Sequence, residues 1–234
     1  MAEIVVALDF PSPEEAFALA ERLGARVRCY KVGLELFTRG GPDIVRELRS
    51  RGREVFLDLK IHDIPNTVAG AASAAAALGA AYLTVHALGG ARMVGAARAA
   101  VEGAPTRILA VTVLTSLAAD DLGKIPGTGP KAPAEEVLRL AALAMESGAH
   151  GVVASGGEVR AIRAQAGADA LIVAPGIRLP GDAQDDQRRV FGPAEAVLAG
   201  ADLLVVGRPI TRAVDPSAAF DRIEAAMRPE MTEA

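Results

Sequence analysis

The stretch Ile-Val-Val-Ala-Leu-Asp-Phe-Pro-Ser-Pro-Glu-Glu (residues 4–15) changes from a strand signal to a helix signal within a few residues. It begins with a β-branched and apolar run, which is typical of a strand buried in a parallel sheet. Ser12-Pro13-Glu14-Glu15 then supplies the N-cap residue, the first-turn proline and the acidic residues of a helix start. Residues 4–15 therefore predict one strand followed directly by one helix.

The same unit of a strand and a helix recurs along the chain. The first five predicted strands begin about 25 to 28 residues apart, the length that one strand, one helix and two short loops require. Apolar runs predict eight strands, at residues 4–8, 29–32, 55–59, 82–85, 108–113, 151–153, 171–174 and 203–206. Eight such units favour an α/β fold of the closed (β/α)8 TIM-barrel type over an open doubly wound sheet. We expect residues 1–234 to form one barrel domain.

The composition is that of an ordinary globular protein. Hydrophobic residues make up 51% of the 234 residues and charged residues 23%, with a net charge of −4. Aromatic residues make up only 3% and no basic stripe is present, so we expect no nucleic-acid partner. No apolar run has the length of a membrane span, and the amino terminus lacks the features of a signal peptide. We expect a cytoplasmic protein with no membrane partner.

Residues that bind metals or form disulfides are few. Cys29 is the only cysteine, which excludes an intrachain disulfide and a cysteine-based metal cluster. We expect its side chain to be a small buried hydrophobic group. The three histidines, His62, His86 and His150, are far apart in sequence and form no i, i+4 pair. We therefore expect no histidine-built metal centre.

The third predicted strand has charges where a buried strand should be apolar. In Val-Phe-Leu-Asp-Leu-Lys-Ile-His-Asp-Ile-Pro-Asn-Thr (residues 55–67), the strand period of two places Asp58 and Lys60 opposite an apolar face. Because the apolar face packs against the helices of a barrel, Asp58 and Lys60 should point inward. Burying two charges costs several kcal/mol each unless they are paired, so a functional role explains them better than the alternative, a structural salt bridge. Asp63, just beyond the strand, offers a second carboxylate near the same ammonium.

The two preceding strands bring further charges to the same edge. Asp9 closes the first strand, and Lys31 lies in the second strand on the same face as Cys29. Because the carboxyl ends of parallel strands meet at one rim of a barrel, Asp9, Lys31, Asp58 and Lys60 should form one group of alternating charges. Together they predict an active site at that rim.

The last two strands have residues that suit a phosphate group. Gly207 and Arg208 follow the eighth strand, Arg178 follows the seventh, and Gln187 lies in the loop after it. Glycine lets backbone N–H groups approach an anion, and arginine binds phosphate oxygens with two donors. Loops seven and eight form the usual phosphate site of TIM barrels, so a phosphorylated substrate is indicated. The alternative for each arginine is an ordinary surface position.

Two connections are longer than the rest and rich in glycine and proline. They cover residues 115–133 and 175–192, after the fifth and seventh strands. In a barrel both would rise from the active-site face, where long loops commonly act as lids. The alternative is that they are tolerated surface insertions.

These motifs resemble those of the orotidine 5′-monophosphate decarboxylase family, and specifically its bacterial branch. The segment from Asp58 to Thr67 is similar to the signature D-x-K-x-x-D-I-x-x-T, which alone would indicate only a wider superfamily of phosphosugar and nucleotide lyases. Six further motifs follow the family in order along the whole chain: Leu8-Asp9, Lys31-Val-Gly33, Val111-Thr-Val-Leu-Thr115-Ser116, Pro175-Gly-Ile-Arg178, Asp186-Gln187-Arg188 and Val206-Gly-Arg-Pro-Ile210.

The resemblance implies decarboxylation of orotidine 5′-monophosphate to uridine 5′-monophosphate, the last step of de novo pyrimidine nucleotide synthesis, without a metal or other cofactor. Lys60 would protonate C6 as carbon dioxide leaves. Asp58 would lie against the substrate carboxylate and hold Lys60 and Lys31 in a charged network. Asp9 and Lys31 would bind ribose hydroxyls, and Thr115 would lie at the edge of the pyrimidine.

The resemblance also implies a homodimer with shared active sites. Asp63 and Thr67 would reach across the interface to complete the site of the neighbouring subunit. The 5′-phosphate would be bound by a set of residues from the last two loops: Arg178, Gln187, Gly207 and Arg208.

Two alternatives stay open. Ketogulonate-phosphate decarboxylases and hexulose-phosphate synthases share D-x-K-x-x-D but use Mg²⁺, with a glutamate ligand at the position of Lys31, where a lysine would repel the cation. The second alternative is a barrel that binds a phosphorylated ligand without catalysis, because a fold alone does not specify a function. It leaves the inward pair of Asp58 and Lys60 unexplained.

Overall fold

The computed structural model describes residues 2–117, 119–124, 133–179 and 191–228, and it forms a closed parallel barrel. Each strand pairs with the next, and the last strand pairs with the first. The strands are β1 (Glu3–Ala7), β2 (Cys29–Gly33), β3 (Glu54–Ile61), β4 (Tyr82–His86), β5 (Arg107–Val111), β6 (Gly151–Val153), β7 (Leu171–Pro175) and β8 (Leu203–Val206). The predicted TIM barrel is confirmed, and each strand lies within one or two residues of its predicted bounds.

Helices connect the strands, and the first of them begins as its sequence predicts. They are α1 (Pro13–Leu23), α2 (Leu34–Gly40), α3 (Pro42–Ser50), α4 (Pro65–Ala77), α5 (Gly90–Ala100), α6 (Ala119–Leu122), α7 (Pro133–Glu146), α8 (Gly156–Ala166), α9 (Pro193–Ala199), α10 (Arg208–Thr211) and α11 (Pro216–Ala226). Ser12 Oγ accepts a hydrogen bond from the Glu15 N–H at 3.2 Å and caps α1. The Asp215 carboxylate accepts from two N–H groups at the start of α11 in the same way.

Two apolar layers follow from the alternation of side chains along the strands. The outer layer fills the space between strands and helices and includes Val55 and Leu57. The inner layer lies within the barrel and consists of Val5, Ala7, Cys29, Phe56, Leu109, Val173, Leu203 and Val205. Cys29 is buried in it, as expected. Because these side chains fill the barrel interior, space for a ligand is left at the carboxyl ends of the strands.

Parts of the two long loops lie outside the described residues. The predicted lids at 115–133 and 175–192 include residues 118, 125–132 and 180–190, and Gln187 is among them. Over the ranges that are described, no helix combines the length and the apolar character needed to cross a membrane.

Candidate active site

A cavity of about 730 Å³ opens at the carboxyl ends of the strands. Apolar side chains of the barrel interior, among them Phe56, Val173 and Val205, form part of its wall. The predicted site residues that line it are Asp9, Lys31, Asp58, Lys60, Thr115, Arg178, Gly207 and Arg208. The fold therefore brings residues from six strand ends, far apart in sequence, to one space.

Four charged side chains of this cavity follow one another in alternating sign; we call them the charge array. Lys31 Nζ lies 2.8 Å from Asp9 Oδ1 and 3.6 Å from Asp58 Oδ2. Lys60 Nζ lies 2.8 and 2.9 Å from the two oxygens of Asp58. The side chains of Lys31 and Asp58 are only 10% and 13% exposed, whereas that of Lys60 is 34% exposed. The ammonium of Lys60 is thus both fixed by Asp58 and open to the cavity.

The electrostatics of the array favour an ionised Asp58. Burial alone raises the pKa of its carboxyl group, but the ammonium of Lys31 and then that of Lys60 lower it, and hydrogen bonds from Lys60 and Thr84 act in the same direction. The net result is a pKa below the ordinary value of an aspartate. Asp58 is therefore a carboxylate at neutral pH even though it is buried.

The backbone of Lys60 is strained. Among the described residues, Lys60 is the only one other than glycine with a positive φ, at +48°. A non-glycine residue in this region costs of order 1–3 kcal/mol and is typical of functional sites. The strain accompanies a bulge: Leu57 pairs with Leu83 and Ile61 with Val85, so three residues of β3 lie opposite one residue of β4. The bulge bends β3 at the residue whose side chain lines the cavity.

The residue opposite the bulge, Thr84, is one that sequence reasoning missed. Its hydroxyl accepts a hydrogen bond from the Lys60 backbone N–H at 2.8 Å and donates one to Asp58 Oδ1 at 3.0 Å. Thr84 is fully buried. The period of two places Thr84 on the inward face of β4, between Tyr82 and His86, but it does not reveal the contacts with Lys60 and Asp58.

Gly33 is a second residue whose role becomes clear only in the structure. A Cβ atom at this position would lie 3.0 Å from Asp9 Oδ1 and 3.1 Å from Lys31 Nζ. These distances are shorter than ordinary contacts of a Cβ atom, so a side chain at this position would push against the ion pair of Asp9 and Lys31. The glycine therefore makes room for the ion pair at the ends of β1 and β2.

The side of the cavity formed by β7 and β8 is positively charged. Gly176, with φ +78°, turns the chain directly after β7, and Arg178 follows it with only 8% of its surface exposed. Arg178 Nη1 donates to the Ile177 carbonyl at 2.8 Å. Arg208 follows Gly207 at the end of β8 and begins α10. Two guanidinium groups at one end of the cavity suit a phosphate ligand.

Asp63 and Thr67 lie outside this cavity. Both are exposed, at the turn from β3 into α4 and in the first turn of α4. Asp63 Oδ1 accepts a hydrogen bond from the N–H of Ile64 at 2.6 Å. The apolar side chain of Ile64, next to Asp63, is 67% exposed. Within one chain the two residues therefore form part of an outer surface, whereas Asp58 and Lys31 line the interior.

Two histidines lie beside each other at the same rim. The rings of His62 and His86 stack with their centroids 5.6 Å apart. Burial, and to a smaller extent the nearby His62 and Lys60, together lower the pKa of His86 to about 4. His86 is therefore neutral at physiological pH.

The donor set does not suit a metal ion. In the part of the chain that the structure describes, no group of three or more His, Cys, Asp or Glu side chains could hold one. Both oxygens of Asp58 already face an ammonium group, from Lys60 or Lys31. A divalent cation at Asp58 would have to approach against these two positive charges.

The chain matches, over residues 2–223, the family model described as Orotidine 5′-phosphate decarboxylase / HUMPS family. The chain belongs to this family. The resemblance that rested on D-x-K-x-x-D and six further motifs is thus confirmed. Proteins named orotidine 5′-phosphate decarboxylase from Halorhodospira halophila and Anaeromyxobacter dehalogenans are among its relatives. The first is 57% identical over 224 residues, covering 95% of this chain and 94% of that protein. The second is 55% identical over 226 residues, covering 96% and 97%.

Solved structures of this family have the same barrel. The crystal structure of orotidine 5′-phosphate decarboxylase from Lactobacillus acidophilus superposes with a TM-score of 0.86 at 39% identity, covering 97% of this chain and all of that one. The enzyme of the same name from Pyrococcus horikoshii OT3 gives 0.77 at 30% identity, covering 96% of this chain and 99% of that one. The similarity therefore extends over the full barrel.

Proposed function

We propose that this protein decarboxylates orotidine 5′-monophosphate to uridine 5′-monophosphate without a metal or other cofactor. The observation that best supports this is the position of Lys60 Nζ, 2.8 Å from the buried carboxylate of Asp58 and still open to the cavity. An ammonium in this position can meet negative charge that develops on a substrate carbon. The family and the names of its relatives point to the same reaction.

The reaction needs a group that stabilises a carbanion. When the bond from C6 to the carboxyl carbon breaks, carbon dioxide leaves and the electron pair stays on C6. The Lys60 ammonium stabilises this charge and donates the proton that forms the new C–H bond. The amine that results regains its proton from water, which the 34% exposure of the Lys60 side chain allows. Asp58, ionised beside the substrate carboxylate, disfavours the bound substrate relative to the transition state.

The other members of the site bind parts of the substrate that do not react. We assign Asp9 and Lys31 to the ribose hydroxyls and Thr115 to the edge of the pyrimidine. Arg178, Gly207 and Arg208 are assigned to the 5′-phosphate, with Gln187 as a further phosphate ligand. Binding energy from the phosphate can then orient the pyrimidine against Lys60, because remote contacts contribute to catalysis when they fix the reacting centre.

The charges around Asp58 disfavour the metal-dependent sugar-phosphate reaction. That chemistry requires a divalent cation bound to carboxylates, whereas Lys31 and Lys60 place two ammonium groups within 3.6 Å of the Asp58 oxygens. Coulomb repulsion between like charges at such distances is large in a partly buried site. The array supports proton donation by lysine instead.

The test is the ultraviolet absorbance change of orotidine 5′-monophosphate with purified protein in excess EDTA. Rapid conversion to uridine 5′-monophosphate is the expected result, with Lys60→Ala protein as the blank. If folded protein gives no conversion, the proposal is wrong, and magnesium-dependent reactions of sugar phosphates become the next assay.

We further propose that the active unit is a homodimer in which Asp63 and Thr67 complete the neighbouring site. The exposed surface around them supports this, because Ile64 is 67% exposed and Leu88, on the adjacent loop, is 41% exposed. The stacked rings of His62 and His86 hold these two loops together. Exposed apolar side chains at one rim are typical of a protein interface.

Mixed dimers test the shared site. Lys60→Ala and Asp63→Ala subunits are coexpressed with different tags, and each variant should be inactive alone. A heterodimer contains one site with both Lys60 and Asp63 intact, so random pairing should restore about a quarter of the wild-type activity per subunit. If the purified heterodimer is as inactive as its two parents, the two residues do not act on one site.

We place this reaction in the cytoplasm. Substrate and product both have a phosphate group, and moving such a charge through a bilayer is costly. The enzyme should therefore act in the compartment where nucleotides are made. Its net charge of −4 gives no reason to propose a nucleic-acid or anionic membrane partner.

A further inference from the structure

The inward face of β4 contains a polar side chain at the point where β3 is irregular. Thr84 is fully buried within the barrel, in a place where its neighbours on β4, Leu83 and Val85, are apolar residues of the outer layer. It lies opposite the bulge, between the pairs Leu57 with Leu83 and Ile61 with Val85. A buried hydroxyl is costly unless both its donor and its acceptor functions are used.

Thr84 uses both functions on the two residues at the centre of the charge array. Its oxygen accepts the backbone N–H of Lys60, and its O–H donates to Asp58 Oδ1. One hydroxyl thereby replaces the strand partner that the bulge removes from Lys60, and fixes the carboxylate that binds the Lys60 ammonium. A hydroxyl can do this because it is at once a donor and an acceptor.

The strain at Lys60 makes this contact necessary. A backbone with φ +48° persists only if surrounding contacts determine it. Without the hydroxyl, the Lys60 N–H loses its partner, and a relaxed β3 would turn the lysine side chain in a new direction. The Asp58 carboxylate would lose a donor at the same time. The Thr84 hydroxyl thus holds both residues of the short contact, the backbone of Lys60 and the carboxylate of Asp58.

We infer that Thr84 is a positioning residue for the decarboxylation: its hydroxyl stabilises the bulge of β3 and so directs Lys60 toward the reacting carbon. This inference rests on the proposed function for the role of Lys60, but the geometry that it invokes does not. Thr84 does not line the cavity, so its effect on substrate passes through Lys60 and Asp58.

The experiment compares three substitutions at Thr84 with one control. Thr84→Val keeps the shape and removes the hydroxyl, Thr84→Ser keeps the hydroxyl, and Thr84→Cys supplies a weaker donor and acceptor. Thr106→Val is the matched control, because Thr106 is also buried and donates one hydrogen bond, to the Ala80 carbonyl at 2.6 Å, away from the cavity. It measures the cost of losing a buried hydroxyl without touching the array.

Thr84→Val should lower kcat about 10- to 100-fold, since a displacement of around 1 Å at a reacting group has an effect of this size. The KM should change less than about threefold, because the phosphate contacts at Arg178 and Arg208 are unchanged. Thr84→Ser should stay close to wild type, Thr84→Cys should lie between the two, and Thr106→Val should keep its kcat. The acid limb of the pH profile should move to higher pH in Thr84→Val, because Asp58 loses a hydrogen bond that lowers its pKa.

Several outcomes would overturn the inference. They are a Thr84→Val enzyme with wild-type kcat, a Thr84→Ser enzyme no better than the valine variant, or an equal loss in Thr106→Val. If the wild-type protein itself does not decarboxylate the nucleotide, the proposed function fails, and the crystal structure of Thr84→Val decides the positioning role. In that structure an unchanged φ at Lys60 and an unchanged contact with Asp58 would show that Thr84 does not position them. If the valine variant does not fold, the comparison of serine with cysteine replaces it.

Discussion

Charged residues gather at both ends of the barrel, but the two groups differ in their surroundings. At the carboxyl end, Lys31 and Asp58 are about nine-tenths buried beside a cavity. At the amino end, Arg28 pairs with Glu54 at 2.7 Å and with Glu3 at 3.4 Å, and its side chain is 65% exposed. The inner apolar layer separates the two groups. Ion pairs between basic and acidic residues are therefore buried at the carboxyl end, whereas the cation of the pairs at the amino end is exposed to water.

This difference determines what each group can do. The arginine of the amino-terminal group is 65% exposed, so water screens its ion pairs and they contribute little to stability. Buried charges have a high desolvation cost, and they act strongly on anything that enters the same space. In TIM barrels, the carboxyl end is the catalytic face, while the opposite end contributes to stability. We therefore expect the removal of a cation to lower kcat at the carboxyl end, and to lower only the free energy of unfolding at the amino end.

Removing Lys60 should have the largest effect. Lys60→Ala should lower kcat at least about 10⁴-fold, because it removes both the proton donor and the charge that stabilises the carbanion. The unfolding midpoint should change little, since Asp58 keeps Lys31 and Thr84 as partners. Turnover of orotidine 5′-monophosphate and urea unfolding measure the two quantities.

Arg28→Ala is the matched control at the other end of the barrel. It removes a cation from the start of a neighbouring strand and should leave kcat and KM unchanged. A Lys60→Ala enzyme with near-normal turnover, or an Arg28→Ala enzyme without turnover, would remove the functional distinction between the two ends.

The sequence was sufficient for the fold and for the carboxyl-end array. Apolar runs and helix starts have local causes, so the eight strands could be located from them. The inward direction of Asp58 and Lys60 followed from a period of two, although the structure has a bulge at this point. This single bulge places Asp58 to Lys60 opposite one residue of β4, and both charged side chains still line the cavity.

What could not be predicted depends on contacts between distant residues. Thr84 acts on partners 24 and 26 residues away, and a single threonine in a strand has no distinguishing pattern of its own. The positive φ of Lys60 is a strained state that only the surrounding fold can maintain. Gly33 is required by the meeting of Asp9 and Lys31, which becomes visible once the strands are placed side by side.

A smaller effect should appear in the pH dependence of stability at the carboxyl end. The pKa of His86 is about 4 in the folded protein, mainly because of burial, against 6.5 as its ordinary value. Between these two values the unfolded chain binds the proton more readily, so the free energy of unfolding should fall as the pH drops from about 6.5 to 4. Allowing for the partial exposure of His86, we expect roughly 1–2 kcal/mol over this interval.

His86→Asn tests this expectation, because asparagine keeps an acceptor for the Leu88 N–H that His86 Nδ1 now accepts. Urea unfolding at a series of pH values should give a flatter curve for the variant than for the wild type. Curves of equal slope would show that His86 does not contribute to the acid sensitivity of this end.

The smallest effect should come from Arg28 at the amino end, this time on stability. Arg28→Ala should lower the free energy of unfolding by about 1 kcal/mol or less at pH 7, the usual range for exposed ion pairs.

The cost of this substitution should also depend on pH, because the partner Glu3 titrates. Burial raises the pKa of Glu3, Arg28 lowers it, and Glu54 raises it, with a net rise. As the pH falls toward this raised pKa, Glu3 takes up a proton and its ion pair with Arg28 is lost in the wild type as well. The substitution should therefore lower the free energy of unfolding less near pH 4.5 than at pH 7. Urea unfolding of the wild type and of Arg28→Ala at the two pH values measures this cost. The measurement is repeated in 0.5 M salt, where the Debye length is roughly 4–5 Å and exposed ion pairs are screened. A cost of several kcal/mol that is insensitive to both salt and pH would mean that the amino-terminal group is a buried network like the one at the carboxyl end.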